Sequence, residues 1–365
     1  MADKTPTQSG SSRRRWSLKK KIVIILIIGI AFLLFLEISA RVLDRISGVD
    51  PSARTIIFIK EYRSHPYLNV RFRPGTGGSN SKGFKGKEFE TPKPKGRIRV
   101  ACLGGSTTWG FGLKENEDYP SLLGEILKQK FPGRDIEVIN AGVPTYHSLV
   151  SLVNLQCRVL PIEPDIICVS HGANDMWPIM APGFKTDYTH FYKDFPGDNV
   201  FCAASGEGVP AKLFGWSRLF QILRYKCMDF RRKQDMAHYI TPVPRSKWAR
   251  EPAPGKDGIE TFRRNMQSIV AVAREHNIKI VLGNFPFRKS ALPTGGQGEC
   301  YEKMNEVVTQ IASSHGTPLA GARTFVSEEK ARFQSDGVHL TAEGSRKQAE
   351  AFAEAIVKGK LITQN

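Results

Sequence analysis

Three side chains set the chemical question: Ser106, His339 and Asp336. Ser106 sits in the stretch RVACLGGSTTWGFGL, where the apolar run Val100 to Leu103 meets two glycines, a serine and two threonines. Such a turn can cradle a phosphate with backbone N–H groups, or it can hold one hydroxyl up as a nucleophile. The cradle readings lack parts. No Gly-Lys pair follows Gly104 or Gly105 at P-loop spacing, and Gly110-x-Gly112 runs on into Leu113, Lys114 and Glu115 without the third glycine of a dinucleotide turn. A nucleophilic serine needs instead a base to take its proton and a carboxylate to orient that base. Of the eight histidines, His339 has a carboxylate in a short turn-like frame, QSDGVHLTAEG, with Asp336 three positions before it. A turn there can bring Asp336 back to Nδ1 and leave Nε2 facing a serine. Acyl chemistry also needs hydrogen-bond donors aimed at an oxyanion. NAG at Asn140 to Gly142 and GAND at Gly172 to Asp175 supply small residues and an amide after apolar runs.

The elements that must position these residues follow from the pattern around them. RIRVACLG, IEVINAG, PDIICVSHG and IKIVLGNFP read as strands. DYPSLLGEILKQKF, SLVSLVNLQCRVL, GIETFRRNMQSIVAVAREHN, CYEKMNEVVTQIASSHG and TAEGSRKQAEAFAEAIVKGKL read as helices between and after them. Apolar strands alternating with helices of this length imply α/β architecture: a parallel sheet with helices on both faces. Ligands in such sheets sit at the carboxyl ends of the strands, where CLGGS, VINAG, VSHGAND and LGNFP all lie.

The order G-G-S-T-T, N-A-G, G-x-N-D and D-x-x-H resembles the SGNH (GDSL-type) hydrolase family over roughly Arg97 to Leu361. The resemblance implies a flavodoxin-like three-layer α/β/α sandwich and ester hydrolysis that requires no metal or cofactor. It implies Ser106 as nucleophile, His339 as base and Asp336 as its partner. It implies the N–H of Ser106, the N–H of Gly142 and the side-chain amide of Asn174 as the oxyanion hole. The family's commonest first block is G-D-S, and Gly105 stands here in the Asp position. That points to a G-G-S-T-T subset, which tends to carry an N-terminal membrane segment. An acyltransferase could use the same covalent intermediate, and a catalytically silent envelope-binding module could keep the same fold. His171 reads as a structural hydrogen-bonder and Asp175 as fixing its own turn, while Tyr146 and His147 are candidates for the pocket wall.

SLKKKIVIILIIGIAFLLFLEISARVL follows a basic leader, residues 1–21. Residues 22–43 read as a transmembrane anchor, with Lys19 to Lys21 snorkelling at one end and Glu37 and Arg41 placed to pair at the other. A cleaved signal peptide ending at Ala40 competes with this reading. Ile38 is bulky where a small residue is wanted, which favours an uncleaved anchor. The basic leader keeps the N-terminus in the cytoplasm and sends the rest to the periplasmic or extracellular side. Residues 44–96, rich in Gly, Pro, Ser and Lys, read as an irregular connection, and 97–365 as the hydrolase-like domain with an insertion at about 176–258. Within that insertion GWSRLFQILRYKCMDFRRK reads as a helix N-capped by Ser217, and a lid or a packing embellishment both suit its place after a strand end.

The net charge is +18, from 53 Lys and Arg against 35 acids. No nucleic-acid motif accompanies it, so the expected partners are a membrane and an ester substrate, an acylated glycan or lipid. Of the six cysteines, Cys102 and Cys168 lie in strand-like runs and read as buried, while Cys202, Cys227 and Cys300 are the better disulfide candidates. Their spacing does not match a structural zinc site.

Overall fold

A computed structural model describes residues 17–47, 62–63, 67–68, 71–181, 183–192, 217, 219–220, 223, 255–292 and 296–363. Five strands form one wholly parallel sheet: β1 (Ile98–Gly104), β2 (Ile136–Asn140), β3 (Ile166–Ser170), β4 (Lys279–Gly283) and β5 (Leu319–Ala320), in the order β2-β1-β3-β4-β5. The two-residue β5 has no counterpart in the sequence reading. It pairs only through Leu282↔Leu319 and Gly283↔Ala320, too short to leave an apolar period.

Alternation along the strands divides the core into two. Ala101, Leu103, Ile167, Val169, Ile280 and Leu282 pack against one set of helices: α4 (Ser148–Asn154), α5 (Ala173–Met180), α6 (Lys256–Glu275) and α7 (Gln297–Ser314). Val100, Cys102, Ile166, Cys168 and Val281 face the other way, toward α3 (Tyr119–Lys130), α8 (Ala322–Val326) and α9 (Ala342–Lys358). This is a three-layer α/β/α sandwich, and period-two apolar strands buried on both faces are its cause. The helix starts are locally encoded. Asp118 accepts from the Ser121 N–H to cap α3, and Thr341 accepts from the Gly344 N–H to cap α9.

The described part of the stretch before β1 is irregular apart from one short antiparallel pair, Tyr62–Arg63 with Arg71–Phe72, and it is no loose spacer. Leu68 and Phe72 are buried with Trp109, Val143, Tyr146 and Val150, and the Phe72 ring stacks on Trp109 at 3.7 Å between centroids. Phe84 and Phe89 join the main core. The fully buried Arg99 guanidinium fastens this arm to the sheet. Its Nε donates to Glu137 at 2.6 Å, and its two Nη groups donate to the carbonyls of Ile162 and Glu90. Gly, Pro and Ser punctuation marks the absence of regular structure but not the absence of packing.

Ahead of the domain, α1 (Leu18–Ser47) is one continuous 30-residue helix. Its apolar section, Leu18–Val42, is exposed and long enough by composition to be a candidate membrane span. Arg41 Nε donates to Glu37 at 2.7 Å, as the four-residue spacing anticipates.

Within the expected insertion at about 176–258, α5 runs to Met180 and α6 begins at Lys256. The insertion's residues 193–216 and 224–254 lie outside the described residues. Ser217 Oγ accepts from the Phe220 N–H at 3.1 Å, which is a capping bond, and donates to Glu37 of α1 at 2.8 Å. Cys300 is not a disulfide partner: it is a buried free thiol in α7, facing the core. Cys202 and Cys227 lie outside the described residues. Cys102 and Cys168 are buried free thiols, paired in register across β1 and β3.

Candidate active site

The carboxyl end of β1 turns sharply through Gly104 and Gly105 into the four-residue helix α2 (Ser106–Trp109). Both glycines are required by close approach. A Cβ on Gly104 would meet Ser170 O at 2.7 Å, and one on Gly105 would collide with Asn174 Nδ2. The side chain that would fill the Asp position of a G-D-S block thus has its space taken by the Asn174 amide. The helix is short, so its carbonyls are claimed from outside. Asn140 Nδ2 donates to Thr108 O at 2.9 Å, and Lys85 Nζ to Trp109 O at 2.5 Å. Lys85 and Asn140 both also reach Asp118, at 3.4 and 3.0 Å, which ties the serine turn to the start of α3.

His339 and Asp336 come from the loop before α9. Asp336 Oδ1 accepts the N–H groups of Val338 and His339, each at 2.9 Å, and Oδ2 lies 2.6 Å from His339 Nδ1. Gly337 between them has φ +71, and a Cβ there would come within 2.6 Å of the Ala291 methyl. His339 Nε2 then lies 2.8 Å from Ser106 Oγ. Burial pushes the Asp336 carboxyl up. The hydrogen bonds from His339 and Val338 outweigh that and hold it at about 2. An ionised Asp336 is acceptor-only, so Nδ1 carries the proton and Nε2 accepts from the serine hydroxyl.

The donors expected around the serine divide. The Ser106 N–H heads α2 and has no acceptor among the described residues. Asn174 spends one Nδ2 hydrogen on Tyr146 O at 3.0 Å and keeps its other beside Gly105. Gly142 does not present its N–H to the serine: that group donates to Asn140 Oδ1 at 3.0 Å, and the residue is packed within 2.8 Å of Thr108 and the Trp109 nitrogen. The same loop offers another. Tyr146 N–H donates to Val143 O, Pro144 occupies the second corner, and Thr145 has φ +76, the pattern of a type II turn. Such a turn leaves the N–H of its third residue outward. Thr145 N–H has no acceptor among the described residues, and Tyr146 O lies against Gly105. A positive φ at a β-branched residue has no sequence signature, but Pro144 just before it was a turn signal.

Asp175 does not close its own turn. Buried in the first turn of α5, it accepts from the Ser148 N–H at 3.0 Å and from Ser148 Oγ at 2.5 Å. Burial pushes its carboxyl up to about 7 against the lowering effect of those bonds. His171 Nδ1 lies 3.8 Å from Asp175, but burial holds both His171 and His147 at about 3. The contact is therefore not an ion pair at neutral pH. Tyr146 and His147 are buried rather than lining an open wall, whereas Phe111, 39% exposed, stands with its ring 5.2 Å from that of His339.

The model of the GDSL-like Lipase/Acylhydrolase family matches residues 102–347. Among solved structures, the chain is similar to a lipase/acylhydrolase from Enterococcus faecalis: 17% identity, TM-score 0.45, covering 73% of this chain and 99% of that one. It is also similar to the acetylxylan esterase Axe2 from Geobacillus stearothermophilus: 15% identity, TM-score 0.44, covering 71% and 94%. No curated protein matches the sequence.

Proposed function

The chain belongs to the GDSL-like lipase/acylhydrolase family and is an ester-hydrolysing enzyme, and from that premise we propose that Ser106 is its nucleophile, His339 its general base and Asp336 the group that orients the base. One observation carries the reading: the unbroken chain Ser106 Oγ, His339 Nε2, His339 Nδ1, Asp336 Oδ2, with steps of 2.8 and 2.6 Å. Ser106 Oγ attacks the ester carbonyl as Nε2 takes its proton, and Asp336 stabilises the imidazolium. The tetrahedral oxyanion takes hydrogen bonds from the Ser106 N–H, the Thr145 N–H and Asn174 Nδ2, roughly 3 kcal/mol for a well-placed donor. Collapse returns the proton from Nε2 to the leaving alcohol. Water, activated by the same nitrogen, then releases the acyl group and restores Ser106.

The chain is assigned to the membrane-anchored G-G-S-T-T subset. Support comes from the exposed apolar helix α1 and from Gly105, whose missing side chain leaves room for the Asn174 amide. Lys19 to Lys21 before the apolar run favour a cytoplasmic N-terminus and a periplasmic or extracellular domain, residues 97–365 with the packed arm before it. The substrate is then an acyl ester on that side, an O-acylated glycan or a lipid. Transfer of the acyl group to a sugar hydroxyl is the alternative fate of the same intermediate.

Fluorophosphonate labelling tests the nucleophile, with Ser106→Ala as control. Product analysis on acetylated glycans, with and without an acceptor sugar, tests the fate of the acyl group. Acyl transfer outrunning hydrolysis would replace the esterase reading.

A further inference from the structure

The mechanism leaves unused a fully buried carboxyl group that neighbours Asn174 in sequence. Asp175 is fully buried at the start of α5, one residue after Asn174. Its carboxylate reaches across to the start of α4, where it accepts the Ser148 N–H through both oxygens at 3.0 and 3.1 Å and the Ser148 hydroxyl at 2.5 Å. Ser148 Oγ in turn accepts from Asn265 Nδ2 of α6 at 3.1 Å. The N-cap residue of α4, His147, makes no capping bond with its own side chain, so Asp175 does this work from another helix.

The consequence lies in the register of two adjacent pairs. Asn174 grips Tyr146 O while Asp175 grips the Ser148 N–H. Neighbouring residues of α5 thus hold both ends of the segment 146–148, which follows directly on Thr145. A buried carboxylate with this set of bonds is held in one geometry, and loss of any partner leaves a buried polar group unsatisfied. Resting on the serine-esterase reading above, we propose that Asp175 is a positioning residue: through Ser148 it fixes the Thr145 turn against Asn174, so that two oxyanion donors from different strand ends keep their spacing.

A merely structural carboxylate would change stability and leave the balance of kcat and KM alone. A positioning one acts on the transition state. The test uses the full chain in detergent, a p-nitrophenyl acetate assay, and the rate of Ser106 phosphonylation, whose phosphoryl oxygen occupies the oxyanion site. In Asp175→Asn, kcat and the phosphonylation rate fall together by about 10- to 100-fold while KM stays within about two-fold. Ser148→Ala keeps the backbone bond and falls less, about three- to ten-fold. Circular dichroism and thermal melting report folding. A folded Asp175→Asn with wild-type kcat, or a loss carried by KM, overturns the proposal. If Asp175→Asn does not fold, wild-type kcat in Ser148→Ala overturns it. Ser106→Ala separates the two levels: turnover retained there ends the esterase reading and this proposal together, while a silent Ser106→Ala beside an active Asp175→Asn ends this proposal alone.

Discussion

Nε2 of His339 lies 2.8 Å from Oγ of Ser106, although 233 positions of sequence separate them. The sheet makes that meeting: β1 delivers the serine at its carboxyl end, and the loop before α9 returns across the same end with the imidazole. Asp336 fixes the ring from one side and the Phe111 ring flanks it at 5.2 Å.

Asp336→Asn keeps the shape of the loop but loses the charge facing Nδ1. Turnover is expected to fall by about 10²- to 10⁴-fold, because the amide can favour the wrong tautomer and cannot stabilise an imidazolium. Stability carries a separate signature. The folded carboxyl is held at about 2, below its ordinary 3.8, so its contribution is present above that ordinary value and disappears as pH falls toward 2. Thermal melts from pH 5 to pH 2 should show wild type losing more stability than Asp336→Asn over this window; parallel curves contradict the assignment.

Gly105→Ala tests the crowding at the serine turn. The added Cβ collides with Asn174 Nδ2 and must displace the amide. Activity is expected to fall by about 10²-fold with secondary structure intact. Gly105→Asp, which restores the G-D-S block, should behave no better. A fully active Gly105→Asp would show that the amide position is not needed.

The fold, and the three residues that the structure brings together at Ser106, were legible because they leave local marks. Apolar strands alternate with amphipathic helices, and the Asp336-x-x-His339 frame is a turn with its own hydrogen bonds. On the β2 loop the resemblance placed the expected donor at Gly142, and the structure commits that N–H elsewhere. Gly142 looks like a donor because glycine exposes its N–H, but Asn140 Oδ1 takes that group. Thr145, proposed in its place, is β-branched and gives no sequence signal of the φ of +76 that turns its N–H outward. The arm before β1 was missed for a related reason. Phe72, in a two-residue strand, and Phe84 are single anchors spaced by glycines, and isolated aromatics have no period.

Thr145→Gly and Gly142→Ala separate the two loop positions. Relief of the left-handed backbone should raise stability by about 1 kcal/mol in Thr145→Gly, offset in part by glycine's entropy, with turnover retained because the N–H remains. Gly142→Ala should lose about 1–3 kcal/mol by overpacking against Thr108, read as a lower melting temperature. A large activity loss in Thr145→Gly would contradict the role given to its backbone.

His171 and Asp175 oppose each other in pH. Burial lowers the His171 imidazole to about 3, so the stability it contributes is present above its ordinary 6.5 and is lost as pH falls through that range. Burial raises Asp175 to about 7, so its contribution is present below 3.8 and is lost as pH rises toward 7. Between about pH 4 and 6.5 the two partly cancel. His171→Leu should flatten the acid loss of stability, and Asp175→Asn should steepen it, by denaturant midpoints measured across that interval. The same slope in both variants contradicts the burial-driven shifts.

The most direct measurement compares wild type, Ser106→Ala and His339→Ala for fluorophosphonate labelling and ester turnover in folded, full-length protein. The serine variant should take no label. The histidine variant should label slowly, and both should lose turnover by about 10³-fold or more. Label on a residue other than Ser106, or near wild-type turnover in either variant, contradicts the account.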